Sequence, residues 1–434
     1  MKNLITILFI AVLYKPASTQ ISYFPPISGN TWDTTSANNL GWCTNKIDTL
    51  YKYLEANNSK AFLVLLDGKI VLEKYFGTFT KDSSWYWASA GKTLTSFLVG
   101  MAQQEQFLNL NDSSSKYLGS GWTSLSASQE GKITVRNQLT MTSGLDDGVT
   151  DADCTLPSCL IYKADAGNRW AYHNAPYTLL DKVIQNATGQ TMNNYMNAKL
   201  KAKIGMSGLF LPLGYNNVFF STPRSMARYG LLIANKGIWD GTTVMPDTAY
   251  FRQMINTSQT LNPSYGYLWW LNGKSSFMMP GLQVNFPGYL LPDGPSDLVC
   301  ALGKNGQFLN ISPSKKLVMV RMGDAPTSTL VPINMANDIW KLLNQIMCNP
   351  TGTSTYNFLP KFEVYPNPTT KEVNITSAIQ EEFTVTLFDA MGKKVLVANN
   401  QKTLNLESLP AGAYQLFISA SNHLSTHKLI KIEE

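Results

Sequence analysis

Ile47, Leu50, Tyr51 and Leu54 recur at helical spacing, and the apolar runs 61–66 and 69–76 flank Asp67-Gly68. This pattern predicts a helix followed by a β-hairpin closed by a tight turn. A second helix is expected from Ser89 to Gln104. Leu94, Phe97, Leu98 and Met101 form one apolar stripe there, and Ser89 stands where an N-cap would. From that helix to about Ile233 the pattern reads as helices and long loops. Strand-like runs return at Leu298 to Leu302, Phe308 to Ile311 and Leu317 to Met322, followed by a helix whose stripe is Ile339, Leu342, Leu343 and Ile346. Strands at both ends of the segment must meet in one sheet, with a helical lobe inserted between them. The expected class is α+β, and a cleft between sheet and lobe is its natural ligand site.

Near Pro350 the composition changes to Thr, Gly, Ser and Asn, which predicts a linker over 350–360. Beyond it, Val373 to Thr376, Phe383 to Phe388, Lys394 to Val397, Thr403 to Leu406 and Ala413 to Ser419 read as short strands of a small all-β sandwich over 361–434. At the other end, Met1-Lys2-Asn3 leads into the apolar run Leu4 to Leu13, and Ala17-Ser18-Thr19 suits signal-peptidase cleavage before Gln20. Residues 1–19 are therefore expected to be a signal peptide and 20–349 the large domain. The apolar run is broken by Tyr14-Lys15-Pro16 well before the roughly 20 residues a span needs, so no stable membrane span is expected. Export to an oxidising space suits five cysteines. Cys154 and Cys159 bracket a short loop and are candidates for a local disulfide, Cys43 and Cys348 are a candidate second pair, and Cys300 reads as a buried, inert thiol. Net charge is +6 with no long run of like charges, which argues against nucleic acid as a partner.

Three histidines are all the chain has, and only His173 falls in the large domain. No His-x-x-x-His or Cys-x-x-Cys pair occurs there, and neither a Gly-x-Ser-x-Gly elbow nor a Gly-x-Gly-x-x-Gly loop is present. Zinc hydrolysis, the Ser-His-Asp triad and dinucleotide chemistry recede, and no cofactor is called for. What remains is a serine activated by a lysine three residues on, since i and i+3 share a helix face. The spacing occurs at Ser89/Lys92, Ser113/Lys116, Ser312/Lys315 and Ser425/Lys428. Only Ser89 begins a strongly apolar helix, where free N–H groups favour a developing oxyanion. The other three are expected in loops or short turns.

Two further motifs stand in order behind Ser89-Ala90-Gly91-Lys92: Tyr172-His173-Asn174 and Gly303-Lys304-Asn305-Gly306-Gln307. With them the chain resembles the serine β-lactamase and penicillin-binding-protein superfamily. More narrowly it is similar to the class C related branch, which includes D-alanyl-D-alanine carboxypeptidases, esterases and 6-aminohexanoate-dimer hydrolases. Leu139 to Leu145, Ser221 to Leu232 and Tyr265 to Trp270 support the resemblance. It implies an antiparallel sheet flanked by helices, with Ser89 as the acylated nucleophile, Lys92 taking its proton and Tyr172 relaying a proton to the leaving group. Asn174 would orient Lys92 or the substrate. Gly303, Lys304 and Gly306 would form the oxyanion and substrate-binding strand, Lys304 giving its backbone N–H together with that of Ser89. His173 is expected to point away from the site.

The third motif departs from the Lys-Thr-Gly of antibiotic-hydrolysing members. The resulting expectation is a secreted serine hydrolase acting on a small-molecule or peptide-like ester or amide. A β-lactamase or carboxypeptidase-like cell-wall enzyme and a catalytically silent binding relative stay open as alternatives. Trp85, Tyr86 and Trp87, and Tyr265, Tyr267, Trp269 and Trp270, crowd the motifs. At least half should be core, and the remainder would favour an apolar or aromatic acyl group. Finally, Tyr365-Pro366-Asn367-Pro368, Phe388 to Lys393 and Leu409 to Tyr414 resemble the C-terminal sorting domain of the type IX secretion system. That resemblance implies export through the periplasm to the surface or medium, with the type IX machinery as a partner.

Overall fold

The structure is a computed structural model that describes residues 21–29, 31–325, 331–348, 362–377, 382–389, 393–420 and 423–433. The expected signal peptide (1–19) and linker (350–360) lie outside the described residues.

Helix α1 (Ile47–Ala56) leads into the hairpin of β1 (Ser59–Leu66) and β2 (Lys69–Tyr75). Its turn has Asp67 at φ 49° and Gly68 at φ 89°. Glycine is required at the second position for space as well as angle, because a Cβ there would fall 1.8 Å from the Tyr23 carbonyl oxygen. Four later strands complete the sheet: β3 (Trp270–Leu271), β4 (Val299–Gly303), β5 (Gln307–Ser312) and β6 (Leu317–Gly323). The order is β2-β1-β6-β5-β4-β3, with every pair antiparallel. The first hairpin thus joins the late strands in one sheet, as the distribution of strand signals requires.

Every residue of β4, β5 and β6 is buried, so helices cover both faces of the sheet centre. Helix α4 (Pro223–Ala234) presses Gly230 onto the sheet, where a Cβ would sit 2.5 Å from Val318 and 2.8 Å from Leu309. The helix α5 (Ile333–Met347) packs beside α1, and the Cys43–Cys348 disulfide ties their outer ends with a Cα separation of 5.7 Å. Cys154 and Cys159 form the second disulfide, 5.9 Å between Cα atoms. Cys300 is a buried free thiol, and burial pushes its ionisation upward, which suits an inert packing role.

Between hairpin and late strands lies the inserted lobe, including α2 (Lys92–Gln104) and α3 (Leu180–Thr188). It also holds a small sheet that the hydrophobic pattern does not announce: Leu209–Leu213 and Asn216–Ser221, with Trp85–Tyr86 added at the edge. Two-residue strands such as Trp85–Tyr86 and β3 carry no readable period. The expected Ser89 N-cap is corrected as well. Ser89 lies inside a 3-10 turn, Ala88–Gly91, that runs into α2, and Gly91 holds the cap position. Trp87 N–H is bonded to the Phe219 carbonyl at 2.8 Å, so the chain must reverse at once, and Ala88 does so at φ 47°.

The C-terminal part is all-β. Phe362–Tyr365, Glu372–Ser377 and Thr403–Asn405 form one sheet, and Phe383–Phe388, Lys394–Asn399, Gly412–Ala420 and His423–Lys431 the other. They enclose a core of their own that includes Val373, Val385, Leu387, Leu416 and Ile418. The first and last of these strands lie outside the five expected from the sequence. Ser425 and Lys428 therefore stand on a strand, not in a loop, and an offset of three sends them to opposite faces.

Candidate active site

The sequence motifs converge where the C-terminal end of β4 meets the 3-10 turn before α2. Trp87 anchors that turn. It is fully buried, and its indole N–H donates to Ser221 Oγ at 2.8 Å. Gly303 lies against the turn so closely that a Cβ would stand 2.5 Å from the Trp87 carbonyl oxygen and 3.0 Å from the Ala90 nitrogen. Only a residue without a side chain allows the Gly303-Lys304 backbone this near to Ser89.

Past Gly303 the chain turns through Lys304–Gly306, with Asn305 at φ 63° and Gly306 at φ 78°. The turn is held from below. Arg321, fully buried on β6, donates from Nη1 to the carbonyls of Asn305 (2.6 Å) and Gly306 (2.9 Å) and from Nη2 to those of Asn57 (2.7 Å) and Asp324 (3.1 Å). Its Nε–H donates to Ser59 Oγ. Burial lowers the guanidinium to about 10, so it stays charged at neutral pH. Asn305 Nδ2 donates to the Tyr86 hydroxyl at 2.6 Å, which ties the turn to the strand before Ser89. The Lys304 side chain is exposed.

Ser89 is half-buried, and Lys92, the first residue of α2, is 4% exposed. Lys92 Nζ donates to Asn174 Oδ1 at 2.8 Å and sits 3.8 Å from the centre of the Tyr177 ring and 5.4 Å from that of Tyr172. Burial lowers its ammonium to about 7, while Asp153 and Asp181 act in the opposite sense. Tyr172 differs. Burial pushes its phenol well above the usual range, and the neighbouring Ser89 side chain only partly opposes this. At neutral pH Tyr172 therefore carries its proton, and Lys92 is the group poised to lose one.

Asn174 also donates from Nδ2 to Asp153 Oδ1 at 2.7 Å. Asp181, buried on α3, accepts from Asn217 Nδ2 at 2.8 Å. Burial raises its carboxyl to about 7, against the pull of Asn217 and Lys92. Neither aspartate was singled out in the sequence. Asp181 left a trace, since Asn174, Tyr177 and Asp181 follow i, i+3, i+7 and so share a face. Asp153 left only its place beside Cys154. His173 is 2% exposed with neither ring nitrogen hydrogen-bonded among the described residues, and burial lowers it to about 4. Its charged neighbours are Asp147, Asp146, Arg169 and Asp153, and it is neutral.

Five of the seven motif aromatics, Trp87, Tyr265, Tyr267, Trp269 and Trp270, are core residues, while Trp85 and Tyr86, just before the Ala88–Gly91 turn, are half-buried. Tyr172 stacks on Trp270 at 5.8 Å and 17°, Tyr265 meets both rings edge-on, and Trp170 meets Trp270 edge-on and Tyr172 at a tilt.

Residues 54–331 match the beta-lactamase family, and the chain belongs to it. Residues 363–433 match the secretion system C-terminal sorting domain family. Over 298 residues the chain is 25% identical to an uncharacterized protein of Alkalihalophilus pseudofirmus, covering 59% of this chain and 81% of that one. It is 28% identical over 164 residues to the protein flp of Staphylococcus aureus, 32% of each chain. Among solved structures it is similar to a protein assigned as a 6-aminohexanoate-dimer hydrolase from Bacillus anthracis (TM-score 0.54, 19% identity, 73% of this chain and 89% of that one). It is also similar to the octameric penicillin-binding protein homologue of Pyrococcus abyssi (TM-score 0.55, 15% identity, 89% and 99%). These likenesses show the fold. The family makes the protein a hydrolase, and the type IX sorting domain marks it for the cell surface or the medium. No helix among the described residues is long and apolar enough to cross a membrane.

Proposed function

We propose that the protein is an exported serine hydrolase that cleaves an ester or amide through an acyl-enzyme on Ser89. The domain division that goes with this reading is 20–349 for the enzyme, 350–360 for the linker and 361–434 for the sorting domain handled by the type IX machinery. Neutral Lys92 takes the Ser89 proton as Oγ attacks the carbonyl carbon. The backbone N–H groups of Ser89 and Lys304 stabilise the oxyanion, with Gly303 and Gly306 shaping the strand end that presents them. As the tetrahedral species collapses, Tyr172 gives its proton to the leaving group and recovers one from Lys92. Water then hydrolyses the ester of Ser89 by the reverse sequence of proton transfers. The observation that carries the reading is a buried lysine lowered to about 7, one turn from Ser89 and bonded to Asn174 of the second motif. The similar fold of a protein assigned as a 6-aminohexanoate-dimer hydrolase and of a family VIII carboxylesterase supports a linear amide or ester as substrate.

The test is a serine-reactive fluorophosphonate followed by peptide mass mapping. The adduct is expected on Ser89 and absent in Ser89→Ala. Label on another serine, or undiminished in the variant, would reject the assignment. A panel of p-nitrophenyl esters, linear amides, short peptides and a chromogenic β-lactam then separates esterase or amidase action from the cell-wall alternatives. Tyr172→Phe is expected to fold normally and lose on the order of 10²-fold in kcat, since it removes a positioned proton donor and almost no volume. Wild-type turnover in that variant would remove Tyr172 from the relay.

A further inference from the structure

Asn174 is a connector with two unlike ends. Its Oδ1 accepts from the Lys92 ammonium and its Nδ2 donates to the Asp153 carboxylate. An ammonium can only donate and a carboxylate only accept, so one orientation of the amide satisfies both neighbours. Turned over, the amide would set N–H groups against Lys92 and oxygen against oxygen at Asp153. The carboxylate thus fixes which end of Asn174 faces the lysine.

Asp153 is itself held in place. Its N–H donates to Asp151 Oδ1 at 3.0 Å, and Cys154 N–H bonds to the Asp151 carbonyl at 3.2 Å. Next door, Ala152 accepts from the Ala175 N–H at 3.1 Å, which clamps the segment across the start of the helix that carries Asn174. The Cys154–Cys159 disulfide closes the loop immediately after Asp153. Within the loop that it closes, Leu156 and Pro157 are exposed, and the next core residue is Leu160, so the disulfide is the buried tie nearest to Asp153 on that side.

We propose that Asp153 is a positioning residue that acts on Lys92 through Asn174, and that the Cys154–Cys159 disulfide holds it there, so that the enzyme reaches full activity only in its oxidised form. The proposal rests on the reading of Ser89 and Lys92 given above. Two effects of Asp153 separate experimentally. Its hydrogen bond orients the amide, and its negative charge favours the protonated form of Lys92. Removing the charge lowers the lysine further, so the acidic limb of the activity profile moves to lower pH. Losing the orientation lowers the plateau.

The experiment measures the rate constant for fluorophosphonate labelling of Ser89 across roughly pH 5 to 9, on the full chain, in wild type, Asp153→Ala, Asp153→Asn and Cys154→Ser/Cys159→Ser. Asp153→Ala is expected to lose about 10-fold at the plateau, the range for a hydrogen bond in a charged network, with its acidic limb displaced downward. Asp153→Asn keeps an acceptor oxygen without the charge, so it should recover most of the plateau and keep the displaced limb. The double cysteine variant should lose plateau rate in the same direction as Asp153→Ala with its melting behaviour otherwise intact. Should Asp153→Ala fail to fold, the limb of Asp153→Asn decides. Absence of any Ser89 label in wild type overturns the active-site reading and this proposal with it. Normal wild-type labelling, with a plateau and limb unchanged in both aspartate variants, overturns the positioning role alone. A double cysteine variant that labels at the wild-type rate overturns the redox dependence.

Discussion

Lys92→Met is expected to lower kcat/KM by on the order of 10³-fold or more while the chain still folds, because it removes the group proposed as proton acceptor of the acylation step and replaces it with a side chain of similar length. Burial sets both the role and the pH dependence. With the ammonium lowered to about 7, activity in the wild type should rise as pH climbs through neutrality and the base becomes free. Stability carries the same signature. Between about 7 and the lysine's ordinary 10.5 the unfolded chain holds a proton that the folded chain lacks, so stability rises with pH across that window. Asp181 works the other way. Its carboxyl is raised to about 7 from 3.8, so the folded chain holds the extra proton and stability falls as pH rises to about 7. The contribution of the pair is therefore least favourable near neutral pH. Denaturant melts from about pH 5 to pH 10 should show the rising alkaline limb in wild type and not in Lys92→Met. Retained hydrolysis in Lys92→Met would place the base elsewhere.

The second large effect is on folding. Arg321→Met is expected to destabilise the enzyme domain by about 3 to 5 kcal/mol, seen as a fall in Tm of roughly 10 °C. The guanidinium meets four carbonyls and one hydroxyl in a place water does not reach, and methionine removes a donor from each, leaving only the Asn305 carbonyl with a second one, Gln307 Nε2 at 3.4 Å. Arg321→Lys should recover little, because three donors on one nitrogen cannot span acceptors that a planar fork reaches from both sides. Activity should fall further than stability alone explains, since Nη1 holds the Asn305 and Gly306 carbonyls and hence the turn proposed to present the Lys304 N–H. A wild-type Tm in Arg321→Met would show that the acceptors find other donors.

Arg321 also shows why part of the site could be read from the sequence and part could not. Ser89, Lys92, Tyr172, Asn174 and Gly303 belong to short motifs whose spacing encodes which side chains meet. The hairpin around Asp67-Gly68 and the three late strands declared themselves through turn chemistry and unbroken apolar runs. Arg321 sits inside such a run as one charge among aliphatics, and its acceptors, such as the Asn57 carbonyl, are 264 residues away. Asp153 meets Asn174 across 21 residues of irregular chain, with no period to place it. Ser89 illustrates a different limit. A polar residue before an apolar stripe looks the same whether it caps a helix or occupies the 3-10 turn ahead of it, and only the Trp87–Phe219 backbone bond settles which.

For anyone wishing to redirect the enzyme to a new substrate, Gly303 divides the cleft into a part that tolerates variation and a part that does not. Any side chain at 303 would wedge β4 away from the Ala88–Gly91 turn that carries Ser89, so a randomised library gains nothing by including it. Its neighbour behaves oppositely. On the proposed mechanism Lys304 acts through its backbone, and its side chain stands in solvent, so the charge there can be removed or reversed with the peptide unmoved. Tyr86, half-buried nearby, is not free in the same way, because its hydroxyl accepts from Asn305 Nδ2 and helps hold the turn. Charge beside the joint is thus adjustable, while the joint itself must stay as it is.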